Sequence, residues 1–516
     1  MRMRKVKLYR WSFVLFIFPL VVACERTPAE FEQADEALEI YPDYTSVIIP
    51  PNIAPLNFLI LNQGEAFVAE ISNGKDRTFS IASRTGCIQM PEKRWKKMLD
   101  EDRGGALTIS VFRKTGRNKW EKLAVAKNEI AAENIDPYIA FRKIAAANIL
   151  WERMGIYQRC LENFEESPIM VNSLTDNNCI NCHTFNAGDP DQFLFHMRAV
   201  HVGTFIRNRD GIQFVDTKSD HTRSAGVYAS WHPDGELIAF SANKINQGFH
   251  SRIGKLVSVI DKFSDIVLYD VKASSITRPA ELATEKLENL PVWSKDGSKM
   301  YYICADKVND TLPYENIIYS LMSIGFDEKT REFGNSETLI SAKEFGKSIS
   351  FPRESPSSGL ISFVGLDYGY FSVYNKEADV YFYNPGTGQI TKPPVNSEFT
   401  ESYPSWSQNG CWLMFISKRD DGLLSQVWFS HIDENGNAGK PFVLPQKRPD
   451  LYKEYEYNYN RPEFISGKVD LYPRKVYAYV KNKADTCYFN KAASVSLSSG
   501  ATVVVSKPDT AFYNHD

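Results

Sequence analysis

Between Val47 and Phe112 the apolar residues arrive in short bursts: Val47-Ile48-Ile49, Phe58-Leu59-Ile60-Leu61, Ala66 to Ile71, Arg77 to Ala82 and Ala106 to Phe112. Pro, Asn-Gly and Gly-Gly punctuate them, which is the pattern of short strands joined by tight turns. Evenly spaced short strands predict a small β-sandwich over 46–130. Within it, Trp95, Met98 and Leu99 fall on one helical face and predict an inserted helix from Glu92 to Leu99. Further on, Ile144, Ala145, Ala147, Asn148, Ile149, Leu150, Trp151 and Met154 recur at helical spacing, with Gly155 as a stop, and predict a helix there.

Beyond Gly203 one unit recurs. Ser230-Trp231-His232-Pro233-Asp234-Gly235 precedes the apolar run Leu237 to Phe240; Val292-Trp293-Ser294-Lys295-Asp296-Gly297 precedes Met300 to Ile303; Ser405-Trp406-Ser407-Gln408-Asn409-Gly410 precedes Trp412 to Phe415. Asp-Gly or Asn-Gly supplies the positive φ of a tight hairpin turn, and the side chain before the glycine caps its own backbone. Asp234, Asp296 and Asn409 are therefore read as turn residues rather than acids or bases. The second gap is about twice the first, which places a degenerate copy at Phe351-Pro352 to Phe363 and another unit near Pro462-Glu463-Phe464. A period near 60 with several strands per unit predicts a β-propeller over 206–516.

Composition agrees with a strand-rich chain: aromatic residues make up 13% of the 516. Such a length exceeds one core and implies several domains. A net charge of −3 leaves no polybasic footprint, so no nucleic-acid partner is expected.

The sharpest chemical signal is Cys179-Ile180-Asn181-Cys182-His183. Cys-x-x-Cys-His is the attachment pattern of c-type haem, and chance would produce it in about 2 of 1,000 chains of this composition. On that reading Cys179 and Cys182 carry thioethers to one covalent haem c and His183 is the proximal iron ligand. A disulfide, or half of a zinc site, is the alternative, although no second Cys-x-x-Cys or His pair follows to complete four zinc ligands. Met197 is the candidate distal ligand and His196 its alternative; being adjacent they point to opposite faces of a strand, so one at most serves. Phe193 and Phe195 share the parity of Met197. The haem-binding segment is set at 131–205, with Trp151, Met154, Tyr157, Phe164, Phe185, Phe193 and Phe195 as pocket wall or as ordinary packing. Cys87, Cys160, Cys304, Cys411 and Cys487 are left over, an odd and scattered set that makes a poor disulfide framework. In the propeller region His221, His232, His250 and His431 are scattered and read as surface or core residues.

The chain begins with Arg2, Arg4, Lys5, Lys7 and Arg10, then an apolar run from Trp11 to Val22, then Val21-Val22-Ala23-Cys24. The run is short for a membrane span, and small residues before a cysteine form the pattern of a bacterial lipoprotein signal over 1–24, with Cys24 lipidated. Residues 25–45, acidic and broken by Pro28 and Pro42, are expected to be a tether.

The Trp-x-x-Asp/Asn-Gly units resemble the propeller repeats of TolB-like proteins over about 200 to 470. Together with the leader and Cys-x-x-Cys-His, the chain resembles the haem-motif-bearing TolB-like lipoproteins of Bacteroidetes-type bacteria. The resemblance implies a mainly β fold of about six blades, an anchor in the cell envelope, at the outer membrane facing periplasm or cell surface, and a redox or envelope protein as partner. The expected function is electron transfer through one haem; the alternative is a non-catalytic scaffold in which the cysteines are structural or redox-sensing. An enzyme whose propeller carries the active site is the third reading, behind electron carrier and binding protein: the hydrolase domain of a propeller peptidase would need Gly-x-Ser-x-Gly, which is not found, and no second cofactor site is evident.

Overall fold

The computed structural model describes residues 27–75, 77–145, 153–252, 255–307 and 313–496. The leader and Cys24 lie outside them, as does Trp151. The described chain is mainly β, in two parts.

The first part holds a seven-stranded sheet built around Ala106–Gly116, which pairs with Ala66–Ser72, Lys119–Lys122 and Ala126–Ile130. A three-stranded sheet of Ile40–Tyr41, Phe58–Ile60 and Cys87–Ile88 accompanies it. The helix Glu92–Glu101 forms where its spacing predicts, burying Trp95, Met98 and Leu99, and the Trp95 indole donates to the Ile53 carbonyl at 2.9 Å. Residues 27–45 are not a free tether. Glu32–Gln33 adds in parallel to the sheet edge, Thr27 donates to Glu70 at 2.6 Å, and Tyr44 is fully buried. The polar sequence hid this because a two-residue edge strand needs only backbone pairing on one side.

The second part consists of four-stranded antiparallel units. Strand pairing defines six. The first joins Tyr138–Ala145, Met154–Cys160 and Glu166–Val171 to Tyr457–Ile465 from the far end of the chain. The second is Cys179–Phe185, Phe193–Arg198, Gly203–Asn208 and Gly211–Asp216. The third contains Val227–Trp231 and the long hairpin Leu237–Arg252 with Lys255–Asp270, and the fourth starts at Leu287–Trp293. The fifth starts at Ser348–Glu354, where the degenerate copy was expected, and the sixth at Glu401–Trp406. Their inner strands are neighbours in that order. The sixth lies beside Tyr457–Ile465, which in turn lies beside Cys179–Phe185, so the ring closes.

Two expectations are corrected here. The helix expected across Ile144 to Met154 is corrected at both ends, where Ile144 and Ala145 belong to the strand Tyr138–Ala145 and Met154 to its partner Met154–Cys160; its middle, within 146–152, lies outside the described residues. Both faces of this hairpin are buried, so its apolar residues do not alternate, and an unbroken apolar run is indistinguishable from a helix by period. Consequently 131–205 is not a separate haem-binding segment, and the propeller does not begin at 206. Residues from Tyr138 onward supply the first unit and most of the second.

The turn expectation holds. Gly235, Gly297 and Gly410 have φ of 77°, 73° and 73°. The preceding side chains accept from the backbone N–H two residues on: Asp234 from Glu236 at 2.7 Å, Asp296 from Ser298 at 3.0 Å and Asn409 from Cys411 at 3.1 Å. Between units the packing is aromatic and aliphatic, and each such side chain taken wholly out of water contributes about 1.5–3 kcal/mol. The sandwich rests on the sixth unit and the segment after it. Tyr44 donates to the Val443 carbonyl at 3.4 Å, and the Asn57 amide donates to the carbonyls of Gln446 and Lys447 at 3.2 and 3.0 Å.

Candidate functional site

Every inner strand carries the same defect. The pairing register shifts once in each of the six, and at each shift one non-glycine residue takes a left-handed conformation: Cys182, Tyr228, Leu290, Phe351, Tyr403 and Arg461, with φ between 45° and 54°. Such a backbone costs about 1–2 kcal/mol per residue, and a bulge that bears it re-aims its side chain out of the sheet. Proline follows in four cases, as Pro291, Pro352, Pro404 and Pro462; Ala229 follows in the third unit and His183 in the second. Cys182-His183 thus occupies a position that the fold builds six times.

The motif itself lies along the strand Cys179–Phe185. His183 is 1% exposed; neither ring nitrogen makes a well-formed hydrogen bond, although backbone groups of Ala140 and Arg461 face the ring as acceptors. Burial, reinforced by the charges of Arg461 and Arg142, pushes its pKa down to about 3, so the ring is neutral. Burial also raises the Cys179 thiol, while Cys182 is half-buried. The seven described cysteines are free thiols. His196 and Met197 do face opposite ways. Met197 pairs in register with Ile180 and packs with Phe185, Phe193 and Phe195 between the first two units. His196 pairs with Asn181, its Nδ1 lies 3.2 Å from the Thr204 hydroxyl, and burial followed by the Arg198 charge holds it at about 3.

This arrangement does not fit haem c as it stands. Attachment needs two thiols and an imidazole open to one porphyrin, whereas Cys179 and His183 are buried and Cys182, at the bulge, is half-buried. Cys179 and His183 are enclosed by packing between units, and Met154, Phe185, Phe193 and Phe195, named as pocket wall, fill that space with one another. Only the imidazole nitrogens, neither in a well-formed hydrogen bond, suit a metal ligand. Zinc fares no better at the motif: among the described residues the group able to hold an ion is His232, Asp234 and Glu328, elsewhere in the ring. There His232 is already engaged, edge-on to Trp293 at 4.7 Å and with Nε2 3.2 Å from the Gly297 carbonyl.

Sequence reasoning missed what surrounds the bulges. Arg142, Arg198, Arg353 and Arg461 come from the inner strands of the first and fifth units and the second strands of the first and second, and gather about Cys182, Tyr228, Tyr374 and Tyr403. Asp261, 3% exposed, accepts from Asn243 at 2.9 Å, Asn289 at 2.6 Å and Tyr319 at 2.8 Å. Burial holds its carboxyl up at about 6 despite those donors. Four Xaa-Pro pairs at similar places in the repeat were the available signal.

No family model matches the chain, and no curated protein matches it. Among solved structures it is similar to an oligogalacturonate lyase in complex with manganese, at 12% identity over 60% of this chain and 73% of that one, TM-score 0.34. It is also similar to the Dos1 propeller, at 14% identity over 44% and 64%, TM-score 0.27. An auxiliary nutrient binding protein from Bacteroides thetaiotaomicron matches at 9% identity over 77% and 99%, TM-score 0.32.

Proposed function

We propose that the protein is a non-catalytic binding propeller of the cell envelope, lipid-anchored through Cys24, in which Cys-x-x-Cys-His builds the inner strand of a unit. One observation carries this reading: Cys182-His183 stands where five other inner strands place Tyr228-Ala229, Leu290-Pro291, Phe351-Pro352, Tyr403-Pro404 and Arg461-Pro462. The resemblance to TolB-like lipoproteins supports it, since such propellers mostly bind other proteins.

A second reading, electron transfer through one haem on Cys179, Cys182 and His183, is favoured by the two ring nitrogens of His183, neither of which makes a well-formed hydrogen bond. The experiment is expression beside a working c-type haem maturation system. The binding reading expects a colourless protein whose mass equals that of the lipidated chain. A peroxidase-active band that survives denaturation and vanishes in Cys179→Ala/Cys182→Ala overturns it. Palmitate labelling that is lost in Cys24→Ser is the expected result for the anchor, and labelling that persists overturns that part.

A further inference from the structure

Four arginines stand about the inner-strand bulges, Arg461 buried, Arg142 and Arg353 half-buried and Arg198 exposed, and one carboxylate, Glu463, lies beside two of them. Arg461 is 8% exposed; its Nη2 donates to the Ala229 carbonyl across the ring at 3.4 Å, while Nε and Nη1 have no hydrogen-bond partner. Arg353, half-buried, spends Nη1 on the Pro352 carbonyl at 2.9 Å. Burial and then the charge of Arg461 draw Arg353 down to about 10, as unrelieved like charges do. Arg142 reaches only the Ile180 carbonyl, at 3.4 Å. Arg198, with the Asn181 amide turned so that its oxygen accepts from Nη2 at 2.7 Å, is exposed to solvent yet ringed by Cys179, Cys182, Tyr228 and Tyr370. A residue so enclosed and still wet lines a hydrated lumen.

Acidic groups are fewer. Glu463 lies near Arg461 and Arg353, but one of its oxygens accepts from the Phe185 N–H at 2.8 Å and the other stands 3.9 Å from Arg461 Nε. Asp261 is saturated by its three donors. Lys418, 5% exposed with Nζ 4.5 Å above the Tyr374 ring, adds a fifth cation on the side of Arg142.

We propose that this lumen binds a small anion bearing two or more carboxylate or phosphate groups. Arginine forks supply paired donors of the shape such groups accept, and the fixed, partly dry surroundings strengthen each bond. Tyr228, Tyr374 and Tyr403 give the ligand's body an amphipathic wall. The cavity between Arg353, Tyr403 and Arg461 has a volume of only about 10 Å³, room for one water, so a single oxygen of the anion enters it between the two guanidinium groups and the rest lies toward Arg198 and Cys182. The inference rests on the binding reading above and names the chemistry of its ligand.

The test is titration calorimetry on the full mature chain with citrate, pyrophosphate and acetate as probes. Citrate or pyrophosphate is expected to bind at one site, more weakly as salt rises, with acetate at least about 100-fold weaker. Preference for citrate identifies a carboxylate ligand and preference for pyrophosphate a phosphate ligand. Arg198→Gln and Arg353→Gln should each weaken binding at least about tenfold while the circular dichroism spectrum is unchanged. Arg331→Gln, which breaks surface pairs with Glu236 and Asp270, should leave binding as it was. No binding of either polyanion by a folded protein, or equal binding by Arg198→Gln and Arg353→Gln, overturns the proposal. If the same protein is colourless after haem maturation, the broader binding reading survives that failure; a covalent haem sinks the broader reading instead.

Discussion

The second and sixth inner strands have the same backbone and opposite chemistry. Glu401–Trp406 passes its bulge through Tyr403-Pro404, a ring packed 4.4 Å from Phe351 and a residue with no N–H to satisfy. Cys179–Phe185 passes the same bulge through Cys182-His183 and buries an imidazole that has only backbone groups of Ala140 and Arg461 near it and no well-formed hydrogen bond. A buried polar group without a bond costs about 1–3 kcal/mol. The contrast separates what the ring requires, a tolerated left-handed residue and a compact successor, from what the second unit alone carries. Spacing along the chain marks Cys-x-x-Cys-His as chemistry; spacing around the ring marks its last two residues as architecture.

The largest expected effect concerns how the second strand is held. Glu463 accepts from the Phe185 N–H and stands beside Arg461 and Arg353, so Glu463→Ala leaves buried cations without their neighbour. A loss of about 3–5 kcal/mol is expected from urea unfolding. A loss below about 1 kcal/mol would mean that the second strand is held by ring packing alone, as in the sixth unit.

Next comes acid. His183 and His196 both sit at about 3 in the folded protein, well under the unfolded value near 6.5, so the unfolded chain binds more protons across that window. Their contribution is complete above about pH 6.5 and is lost as pH falls, by about 2 kcal/mol for each histidine between pH 7 and 5. Asp261, held up at about 6, acts oppositely over its own range from 3.8, stabilising most when protonated. Glu288, held up at about 7, and Asp136, at about 6, act in the same direction as Asp261, so the quantity to measure is the difference between proteins: from pH 7 to 5 the wild type should lose about 2 kcal/mol more stability than His183→Ala in thermal melts. An identical pH dependence in the two proteins would mean that an acceptor at His183 holds the imidazolium and cancels the effect of burial.

The smallest effects probe the equivalence of the bulges directly. His183→Pro makes the second unit like the first, fourth, fifth and sixth, and should change stability by no more than about 1 kcal/mol. Cys182→Gly removes left-handed strain at a half-buried site and should stabilise by about 0.5 kcal/mol after the entropy of glycine is counted. The same change at Leu290, 3% exposed, should destabilise, because there a packed side chain is lost. If His183→Pro fails to fold, the six bulges are not interchangeable and the imidazole has a structural partner.

The hairpin turns at Asp234, Asp296 and Asn409, the weak copy at Phe351 and the helix around Trp95 were legible because each depends on local signals, a glycine at positive φ or one apolar face. The hairpin from Tyr138 to Cys160 was not. Its residues are buried on both faces, and its partner Tyr457–Ile465 lies more than 300 positions away, where no local pattern can point to it. Nor was the arginine cluster. Arg142, Arg198, Arg353 and Arg461 are isolated charges in four separate stretches, and only bulges that re-aim side chains bring them together.

The pairing of Tyr138–Ala145 with Tyr457–Ile465 also sets an order of events. Until residue 465 has been made, the first unit lacks its inner strand and the ring has two open edges, each a template for wrong pairing. Closing so long a loop is entropically modest but kinetically slow, because few local contacts reward the search on the way. A chain emerging from a ribosome or a secretion pore therefore cannot complete the ring from its leading end. The sandwich can form first, and the propeller stays exposed to chaperones and proteases until nearly the whole sequence is present.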